Sequence, residues 1–470
     1  MKITFVTAPY DIIQNAYGVK RKVKYGYWAP FSLAVLAACC RAGGHTPEIV
    51  DSSPLGYGNR EVIEHLKKSR PDVVGLQSTF AAKEQTLQLL REIKSELKIP
   101  VFLGGWFATS FQENLLKENP ELDFVFVGEA EKTIVSVLDA LEKGRGFDGI
   151  RGVCYRKGNL IKNNGFGEIV ENLDDLPLPA WDLINFNLYR SLPLQTKKFP
   201  HAPYLSSRGC PYSQCTFCFE SGKAKPKYRR HSPERVVKDI KELVEKYGIK
   251  EIAFWDDIFM VNENWVLRFC ELLKQENISL VWQAYGHASF VTQKMLKAAA
   301  EAGCWNVFYG FESGNQDILD RVKKGATLEQ MSRAAKWTRE AGMDTRGSFV
   351  MALPGETPEK AMKTAQWAVD NDLTFVQFLP YFPEYGAAIY EELVKEGKIP
   401  ETYEGRTTPQ YIPDGYKDNE EVKETLKKMY RKFYFRPGYV LKHIKRIKRF
   451  SDIKQYYEAL MHTAKIAFKI

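Results

Sequence analysis

Cysteine is scarce in this sequence, and a long apolar run is missing. Eight cysteines in 470 residues are too few for the disulfide framework of a secreted scaffold. No apolar segment approaches the roughly 20 residues that cross a bilayer. The first residues, Met-Lys-Ile-Thr-Phe-Val, have the pattern of a strand rather than that of a charged leader followed by an apolar run. We therefore expect a cytoplasmic protein whose thiols are free or bound to a metal.

The composition is that of a globular protein with an uneven distribution of charge. Hydrophobic residues make up 44% and charged residues 27%, which excludes a disordered or collagen-like chain. Residues 421–470 contain 14 Lys and Arg against 4 Asp and Glu, a net +10, so the rest of the chain carries −1 of the total +9. Aromatic and aliphatic residues interleave with these bases: Phe433, Phe435, Tyr439, Ile444, Ile447 and Phe450. The segment is either a solvated helical face or a surface for anionic lipid headgroups. Nucleic acid is a third interpretation, and we do not expect it.

Residues 1–145 alternate short apolar runs with helical patterns. Several of the runs end in glycine, as Val101–Leu103 does before Gly104 and Gly105. This alternation predicts an α/β domain with a doubly wound parallel sheet, whose ligands bind at the carboxyl ends of the strands. Residues 146–200 then have the pattern of a linker that holds a hairpin and the extended run Asp174–Pro179.

A second series of strand and helix patterns begins at residue 201 and ends near residue 385. Its six βα units predict a partial (β/α)6 barrel, with the chemistry at the carboxyl ends of the strands. Helices are predicted at Pro233–Tyr247, Glu263–Gln275, Thr292–Ala302, Leu328–Ala341 and Pro358–Asp370. Residues 386–470 fall outside this repeat and form a basic region with helical patterns.

Three of the eight cysteines lie within nine residues, in the segment Cys210-Pro-Tyr-Ser-Gln-Cys215-Thr-Phe-Cys218. Thiolates are soft ligands that suit zinc or an iron–sulfur cluster. A structural zinc site needs a fourth ligand, and His201 and His231 are the nearest candidates. Three thiolates on a four-iron cluster would instead leave one iron open for a chelating substrate, and we favour that interpretation.

Further motifs fall at the ends of later predicted strands. Asp256 and Asp257 end the second strand of the barrel, Glu312 and Ser313 end the fourth, and the segment 347–357 covers the fifth strand and its turn. With the cysteine segment, these motifs resemble the radical S-adenosylmethionine (SAM) superfamily, specifically its class with a cobalamin-binding domain. The first cysteine gap has four residues where that family usually has three.

The resemblance implies a set of SAM and cluster ligands. Cys210, Cys215 and Cys218 would hold a [4Fe–4S] cluster, and Phe217 would pack near the adenine of SAM. The remaining SAM contacts are assigned to the amino group (Asp256 and Asp257), the ribose hydroxyls (Glu312 and Ser313) and the carboxylate (Arg346). Acidic groups suit a cationic ammonium, and a carboxylate and a hydroxyl can bind vicinal hydroxyls.

The resemblance also implies that residues 1–145 form a Rossmann-like domain that binds cobalamin. The matching residues are Ser78, Thr79, Gly104, Gly105, Thr109, Gly128 and Glu129. Glycines allow a flat macrocycle to approach the backbone. No Gly-x-Gly-x-x-Gly motif is present, which argues against a nicotinamide dinucleotide. No Asp-x-His-x-x-Gly loop is present either, so we expect no protein histidine on the cobalt. The alternative is a vestigial sheet that has lost its cofactor.

The implied activity is that of a radical SAM enzyme that cleaves SAM reductively and, with cobalamin, methylates an unactivated carbon. The alternatives are ring closure, rearrangement or carbon–carbon coupling without methyl transfer, and a non-enzymatic iron–sulfur protein. A flavodoxin or ferredoxin is the expected reductant. The substrate pocket is assigned to Gln377, Tyr381 and Phe382, with Tyr385, Trp282 and Tyr309 as further candidates. Such a lining favours a hydrophobic small molecule, for example a lipid or a natural-product intermediate, and the basic C-terminal region would then make peripheral contact with a membrane.

Overall fold

The computed structural model describes residues 1–11, 26–222, 226–401, 411–447 and 450–469. The chain divides into two compact units, Met1–Ser191 and Leu192–Ile470. Each unit is built on its own predominantly parallel β-sheet. None of the helices in these described ranges combines the length and the apolar character needed to cross a membrane.

The first unit contains a seven-stranded sheet in the order β2-β1-β3-β4-β5-β6-β7. Its strands are β1 Lys2–Thr7, β2 Thr46–Asp51, β3 Val73–Gln77, β4 Val101–Gly104, β5 Phe124–Phe126, β6 Val153–Lys157 and β7 Leu160–Asn163. Its helices are α1 Phe31–Ala42, α2 Ser52–Leu55, α3 Asn59–Ser69, α4 Lys83–Glu96, α5 Trp106–Glu118 and α6 Thr133–Glu142. Strands β1 to β5 are parallel, whereas β6 and β7 form a hairpin antiparallel to β5. The hairpin that the sequence placed in a linker therefore extends the N-terminal sheet.

Close packing between β3 and β4 sets the edge of this sheet where ligands are expected. Only glycine fits at position 75, because the ring of Phe102 lies over it and a Cβ atom there would come within 2.3 Å of the ring. The register pairs Gln77 with Gly104, the last residues of the two strands. The loops that follow β3 and β4 consequently begin side by side.

The second unit contains six parallel strands in the order β8-β11-β12-β13-β14-β15. These are β8 His201–Tyr204, β11 Glu251–Phe254, β12 Val281–Gly286, β13 Cys304–Glu312, β14 Asp344–Met351 and β15 Phe375–Pro380, while β9 Ser207–Arg208 and β10 Arg229–Arg230 form a separate short ladder. The helices are α7 Pro233–Tyr247, α8 Glu263–Gln275, α9 Gln293–Glu301, α10 Gln316–Arg321, α11 Leu328–Glu340, α12 Pro358–Asp370, α13 Ala388–Lys395, α14 Asn419–Tyr434, α15 Pro437–Ile444 and α16 Phe450–Lys469. The predicted α/β fold, with a Rossmann-like sheet, a partial six-stranded barrel and a helical C-terminal region, is confirmed.

Side-chain caps begin the five predicted barrel helices. In each, an oxygen of the residue before the helix accepts the backbone N–H three residues on; the caps are Ser232, Asn262, Thr292, Thr327 and Thr357. Such caps satisfy one of the unpaired N–H groups of a helix start. Three of these helices, Pro233–Tyr247, Glu263–Gln275 and Pro358–Asp370, have the bounds predicted from the sequence.

Helix α14 covers the outer edge of the last strand, β15, with two tyrosine hydroxyls. The Tyr434 hydroxyl donates to the carbonyl of Val376 (2.6 Å) and accepts from its N–H (3.0 Å). Tyr430 makes the same pair of bonds with Phe378, at 3.2 and 3.3 Å. An open sheet edge presents unpaired backbone groups, and the two hydroxyls satisfy those of alternate residues.

The aromatic residues of the basic tail do not all face solvent. Phe433 and Tyr439 are buried, and Tyr439 donates a hydrogen bond to the carbonyl of Thr374 (3.1 Å), just before β15 begins. The side chain of Phe450 lies outside the described residues. Helix α15 is therefore attached at the amino ends of the barrel strands, opposite the end at which the cysteine loop leaves β8.

Candidate functional site

The three clustered cysteines lie in the loop that follows β8 and β9, at the carboxyl ends of the barrel strands. Cys210, Cys215 and Cys218 are partly exposed, whereas the other five cysteines are buried: Cys39, Cys40, Cys154, Cys270 and Cys304. Buried thiols behave as small apolar core residues. Exposure thus separates the three candidate ligands from the structural cysteines.

The longer first gap of the cysteine loop is tied to a neighbouring turn through Tyr212. Its hydroxyl donates to the carbonyl of Lys323 (2.8 Å), and its ring stacks on His287 with a centroid separation of 5.2 Å. The backbone N–H of Thr216 donates to the carbonyl of Val322 (3.0 Å). These contacts fix the loop although it has one residue more than the family pattern.

The surroundings of the thiols favour a cationic group. Burial raises the pKa of Cys215 to about 11 and that of Cys218 to about 12, and the pKa of Cys210 is raised as well. Each of the first two thiols contributes to raising the pKa of the next, so the three are electrostatic neighbours. These thiols lose their protons near neutral pH only when positive charge lies close by, and the iron ions of an iron–sulfur cluster would supply it. His201, a candidate fourth ligand for zinc, lies instead at the amino end of β8.

The two aspartates after β11 have different environments. Asp256 is buried, and its carboxylate accepts hydrogen bonds from the Ser206 N–H (3.1 Å), the Ser206 hydroxyl (2.6 Å) and the Ser207 hydroxyl. Asp257 is exposed, and desolvation together with the Asp256 carboxylate raises its pKa to about 6. The charge of Asp257 also contributes to the raised pKa of Cys210. Asp256 therefore anchors the start of the cysteine loop, and Asp257 is the acid available to a ligand.

A buried ion pair that the sequence analysis missed lies beside the cysteines. Glu312 ends β13 at a β-bulge with a left-handed φ of 64°, and its carboxylate binds the Lys324 ammonium at 2.9 Å. Both side chains are 9% exposed. Burial alone would lower the pKa of Lys324, but the charges of Glu312 and Cys215 outweigh it and raise the pKa. The only sequence signal for Lys324 was its place in a Lys-Lys-Gly turn.

Two other predicted SAM contacts have structural partners. Ser313 is fully buried, and its hydroxyl accepts from the Asn315 N–H (3.2 Å) and lies 3.3 Å from the Thr364 hydroxyl of α12. It holds the turn after β13 rather than facing the barrel mouth. Phe217 is partly buried and packs against the apolar cluster around Leu353 in the turn after β14.

Arg346 lies at the opposite end of the barrel from the cysteines, so its assignment to the SAM carboxylate is not supported. It is the third residue of β14, and its guanidinium donates to the carbonyl of Leu194. It also lies over the rings of Phe375 (4.9 Å) and Trp305 (5.7 Å), which belong to the first residues of their strands. Arg346 therefore has a structural role near the amino end of β14.

The alternation of side chains along the strands defines the inner face of the barrel. Gln377 and Leu379 are exposed on β15, between the buried Val376 and Phe378 that face the helices. Phe382 is half-buried just beyond this strand. Gln377 lies in the middle of β15 and Phe382 just beyond the carboxyl end of that strand; that the two contact the substrate stays a prediction.

Three other candidates for the substrate pocket are placed elsewhere. Trp282 packs among aromatic rings on the helix side of the sheet and donates to the Ala302 carbonyl (2.8 Å). The Tyr309 hydroxyl is 2.8 Å from that of Thr338 in α11. Tyr381 is buried in the apolar cluster around α13. Tyr385, the remaining candidate, is 37% exposed.

A buried carboxylate connects the turn after β14 with the C-terminal region. Glu356 accepts the N–H of Ala352, which has a left-handed φ of 59°, and the hydroxyl of Tyr416 (3.3 Å). Burial raises the pKa of Glu356 to about 8. The carboxyl group thereby holds a turn at the carboxyl end of the barrel.

In the first unit, the seven predicted cobalamin residues follow three adjacent strands, β3, β4 and β5. Gly105 and Gly128 have left-handed φ values of 105° and 83°, and a Cβ atom on Gly105 would lie 2.6 Å from the Ser78 carbonyl oxygen. Two hydroxyls join the loops: that of Ser78 donates to the Gly104 carbonyl (2.9 Å), and that of Thr109 accepts from the Gly128 N–H (3.0 Å). Thr79 caps the short helical turn 80–82, and Glu129 is half-buried beside Gly128.

This edge of the sheet fits a flat ligand with a large apolar surface. A Cβ atom on Gly104 would meet nothing closer than 4.0 Å, so the space above that backbone is open. Trp106 and Phe166 are 51% and 41% exposed at the same edge. Exposed aromatic rings beside the open backbone of Gly104 allow a flat macrocycle to approach the sheet.

Neither histidine of the first unit lies at this edge. His45 precedes β2, at the amino ends of the strands, and its ring nitrogens lie 3.2 Å from the Met1 amine and 3.3 Å from Asp139. His65 lies in α3 and contacts Glu48 at 2.8 Å. No other histidine occurs in residues 1–191. The expectation that no protein imidazole reaches the cobalt stays a prediction, and these positions support it.

Two protein-family models match the chain over the regions just described. The radical SAM superfamily matches residues 204–368, and the B12 binding domain matches residues 20–138. The first region contains the cysteine loop, Asp257 and the Glu312–Lys324 pair. The second contains the glycine-lined edge of the N-terminal sheet.

Curated relatives align with most of the chain. An uncharacterized methyltransferase of Pyrococcus horikoshii is 31% identical over 419 residues, 88% of this chain and 90% of the relative. An anaerobic magnesium-protoporphyrin IX monomethyl ester cyclase of Rubrivivax gelatinosus is 27% identical over 428 residues, 88% of this chain and 75% of the relative. In fold, the cobalamin-dependent SAM radical enzyme OxsB, solved with aqua-cobalamin and SAM bound, is similar with a TM-score of 0.76 at 20% identity, over 99% of this chain and 72% of that one. The chain belongs to the radical SAM superfamily of enzymes, in the class that also has a B12-binding domain, and its cofactors are a [4Fe–4S] cluster, SAM and cobalamin.

Proposed function

We propose that this enzyme transfers a methyl group to an unactivated carbon of an apolar small molecule. The observation that carries the proposal is the set of charges around the cysteine loop, with Asp257, Glu312 and Lys324 next to Cys210, Cys215 and Cys218. A SAM molecule has three polar groups that match it: an ammonium, a carboxylate and ribose hydroxyls. The Pyrococcus relative, which aligns over most of both chains, is named a methyltransferase.

Each polar group of SAM has one assigned partner in this chain. Asp257 binds the ammonium, because it is the exposed carboxylate of the aspartate pair. Lys324 binds the carboxylate, since it is the cation beside the cysteines and Arg346 is remote. Glu312 then accepts from the ribose hydroxyls while it keeps Lys324 charged. When bound, the cluster and SAM supply a radical that abstracts hydrogen, and cobalamin supplies the methyl group.

The inner face of the barrel selects the substrate class. Leu379 and Tyr385 are 40% and 37% exposed near its mouth, and Trp255, at the end of β11, is 43% exposed. Gln377 offers one amide for orientation. A pocket with several apolar walls and few polar groups binds an apolar molecule in a fixed orientation. A lipid-like or natural-product intermediate fits this description, and a flavodoxin or ferredoxin is the proposed reductant.

Ring closure without methyl transfer is the second candidate. It is favoured by the Rubrivivax relative, which is named a cyclase and aligns with 88% of this chain. The two activities use the same cysteine loop and the same SAM contacts. They differ in whether the methyl group of a second SAM reaches the substrate.

Product analysis distinguishes the two activities. The protein is purified without oxygen, reconstituted with iron, sulfide and cobalamin, and incubated with SAM, a reductant and candidate apolar substrates. Methyl transfer gives a methylated product, S-adenosylhomocysteine and 5′-deoxyadenosine. Deoxyadenosine without S-adenosylhomocysteine excludes methyl transfer and favours ring closure. Cys215→Ala is the control, because it removes a cluster ligand and abolishes every SAM-derived product.

A further inference from the structure

The two C-terminal helices α15 and α16 expose an unusual amount of apolar surface. Fifteen large hydrophobic side chains are exposed among those that the structure describes, and eight of them belong to these two helices. We call these eight residues the C-terminal apolar surface: Val440, Leu441, Ile444, Ile453, Tyr457, Leu460, Met461 and Phe468. Their exposures range from 41% to 61%. Scattered single residues of this kind are ordinary, but a concentration in some thirty residues indicates an interaction site.

Helical spacing places several of these residues on the sides of α15 and α16 that point away from buried residues. In α15, Tyr439 and His443 are buried, and Leu441 and Ile444 point away from them. In α16, the exposed positions recur at intervals of three and four from 453 to 461, and the buried Ile466 lies on the opposite side of the helix. Each helix thus presents a stripe of apolar side chains on its outer face.

The segment that carries the stripe is basic. Residues 437–470 contain eight Lys and Arg and two Asp and Glu, a net +6. Lys442 and Arg446 are paired with Asp372 and Asp344 of the barrel, but Lys445 and Lys454 are exposed. The partner of this surface must therefore be apolar and negatively charged at the same time.

We propose that the C-terminal apolar surface docks on an anionic lipid bilayer. A second copy of the chain would bring two such basic segments together, which is unfavourable. An acidic electron-transfer protein bound here would be at the wrong end of the barrel, because α15 is attached at Thr374 and Asp344, before the strands begin or at their first residues. A bilayer suits both features, since apolar side chains enter the interface while lysines reach lipid phosphates.

The proposal also defines an orientation of the second unit on the bilayer. Docking through α15 directs the amino ends of the barrel strands to the bilayer and the cysteine loop away from it. The surface therefore keeps the enzyme at the membrane and does not insert its barrel mouth into the lipid. The inference does not depend on the proposed methyl transfer, because it concerns helices outside the SAM site.

Vesicle binding of the full-length protein tests the proposal. The wild type is expected to pellet with vesicles that contain phosphatidylglycerol and to remain in solution with phosphatidylcholine vesicles or at high salt. The double variant Leu441→Ser/Ile444→Ser is expected to bind at least tenfold more weakly, because burial of each such side chain contributes about tenfold. Leu160→Ser is the matched control: Leu160 is 63% exposed on β7 of the other unit, and its replacement should leave binding unchanged.

Charge variants complete the test. Lys445→Glu/Lys454→Glu should also weaken binding at least tenfold, whereas Lys68→Glu/Lys297→Glu, which alters exposed lysines on α3 and α9, should not. Failure of the wild type to bind anionic vesicles overturns the proposal, as does equal binding to neutral ones. A wild-type dimer that Leu441→Ser/Ile444→Ser converts to a monomer would identify a second copy as the partner instead. Cluster content and SAM cleavage, measured on the same samples, report separately on the proposed function.

Discussion

The Glu312–Lys324 pair provides the most direct test of the proposed SAM site. Its two charges are 2.9 Å apart and both side chains are 9% exposed. Removal of one partner of such a pair leaves an uncompensated buried charge and costs about 3–5 kcal/mol. We therefore expect Glu312→Gln and Lys324→Met each to lower the free energy of unfolding of the second unit by about 3 kcal/mol.

The double variant Glu312→Gln/Lys324→Met should be more stable than either single variant. It leaves no charge unpaired, and replacement of a buried ion pair by neutral groups of similar size is often nearly neutral. Because the double variant should lose less than either single variant, the coupling free energy from the four proteins of this cycle should exceed about 3 kcal/mol. Anaerobic urea denaturation of the cofactor-free proteins measures it.

Loss of SAM binding is the second readout, and it separates a ligand site from a merely structural pair. Equilibrium binding of SAM to the cluster-loaded protein should weaken at least tenfold in each single variant. The double variant should regain stability but not SAM affinity, because neither ribose nor carboxylate partner remains. Lys323→Met is the matched control, since that neighbouring lysine is exposed. A coupling energy below about 0.5 kcal/mol, or wild-type SAM affinity in the double variant, would refute the reasoning.

Three further predictions concern other parts of the chain. Tyr434→Phe leaves the N–H and carbonyl of Val376 unpaired and should lower the free energy of unfolding, measured by urea denaturation, by about 2–4 kcal/mol. Y457F, at an exposed tyrosine, is the control, and a loss in Tyr434→Phe below that of the control would contradict the role of Tyr434 at the edge of β15. Electron paramagnetic resonance of the cobalamin-loaded, reduced protein should show no hyperfine splitting from a protein imidazole, and a splitting abolished by H45A or H65A would show the prediction wrong. Burial raises the pKa of Glu356 from an ordinary value of 4.5 to about 8, so the free energy of unfolding should fall as the pH rises between those values. E356Q should flatten that pH dependence, and an unaltered pH profile in this variant would exclude Glu356 as its cause.

Local signals predicted the elements of the fold well. The caps Ser232, Asn262 and Thr357 stand directly before apolar residues with helical spacing, so both the start and the type of those helices are encoded within a few residues. The hairpin of β6 and β7 was also visible as a local pattern. Its attachment to β5 was not, because pairing between strands that are distant in sequence depends on register and burial, which a linear pattern does not contain.

The site was predictable where a residue's role follows from its place at a strand end. The cysteine loop, Asp257 and Glu312 all follow this rule. The assignment of Arg346 to the SAM carboxylate is not supported, because the third residue of the eight-residue strand β14 lies near its amino end, away from the cysteine loop. Lys324 could not be found this way, because only the bulge at Glu312 and the fold of the following turn bury its ammonium beside the cysteines.

In the basic C-terminal region, composition alone does not determine which apolar residues are buried and which are exposed. Its aromatic and aliphatic residues looked like one mixed set in the sequence, but the structure separates them by face. Tyr430, Tyr434 and Tyr439 turn inward and satisfy the backbone of β15 and the residue before it, which leaves Leu441, Ile444 and their neighbours outside. These inward tyrosines close the edge of the partial barrel, and their hydrogen bonds to the backbone require no positive charge nearby. Lys442 and Arg446 form ion pairs with Asp372 and Asp344, whereas the exposed Lys445 and Lys454 follow the exposed Ile444 and Ile453 in the sequence. An anionic bilayer is the partner that uses both this charge and the apolar stripe.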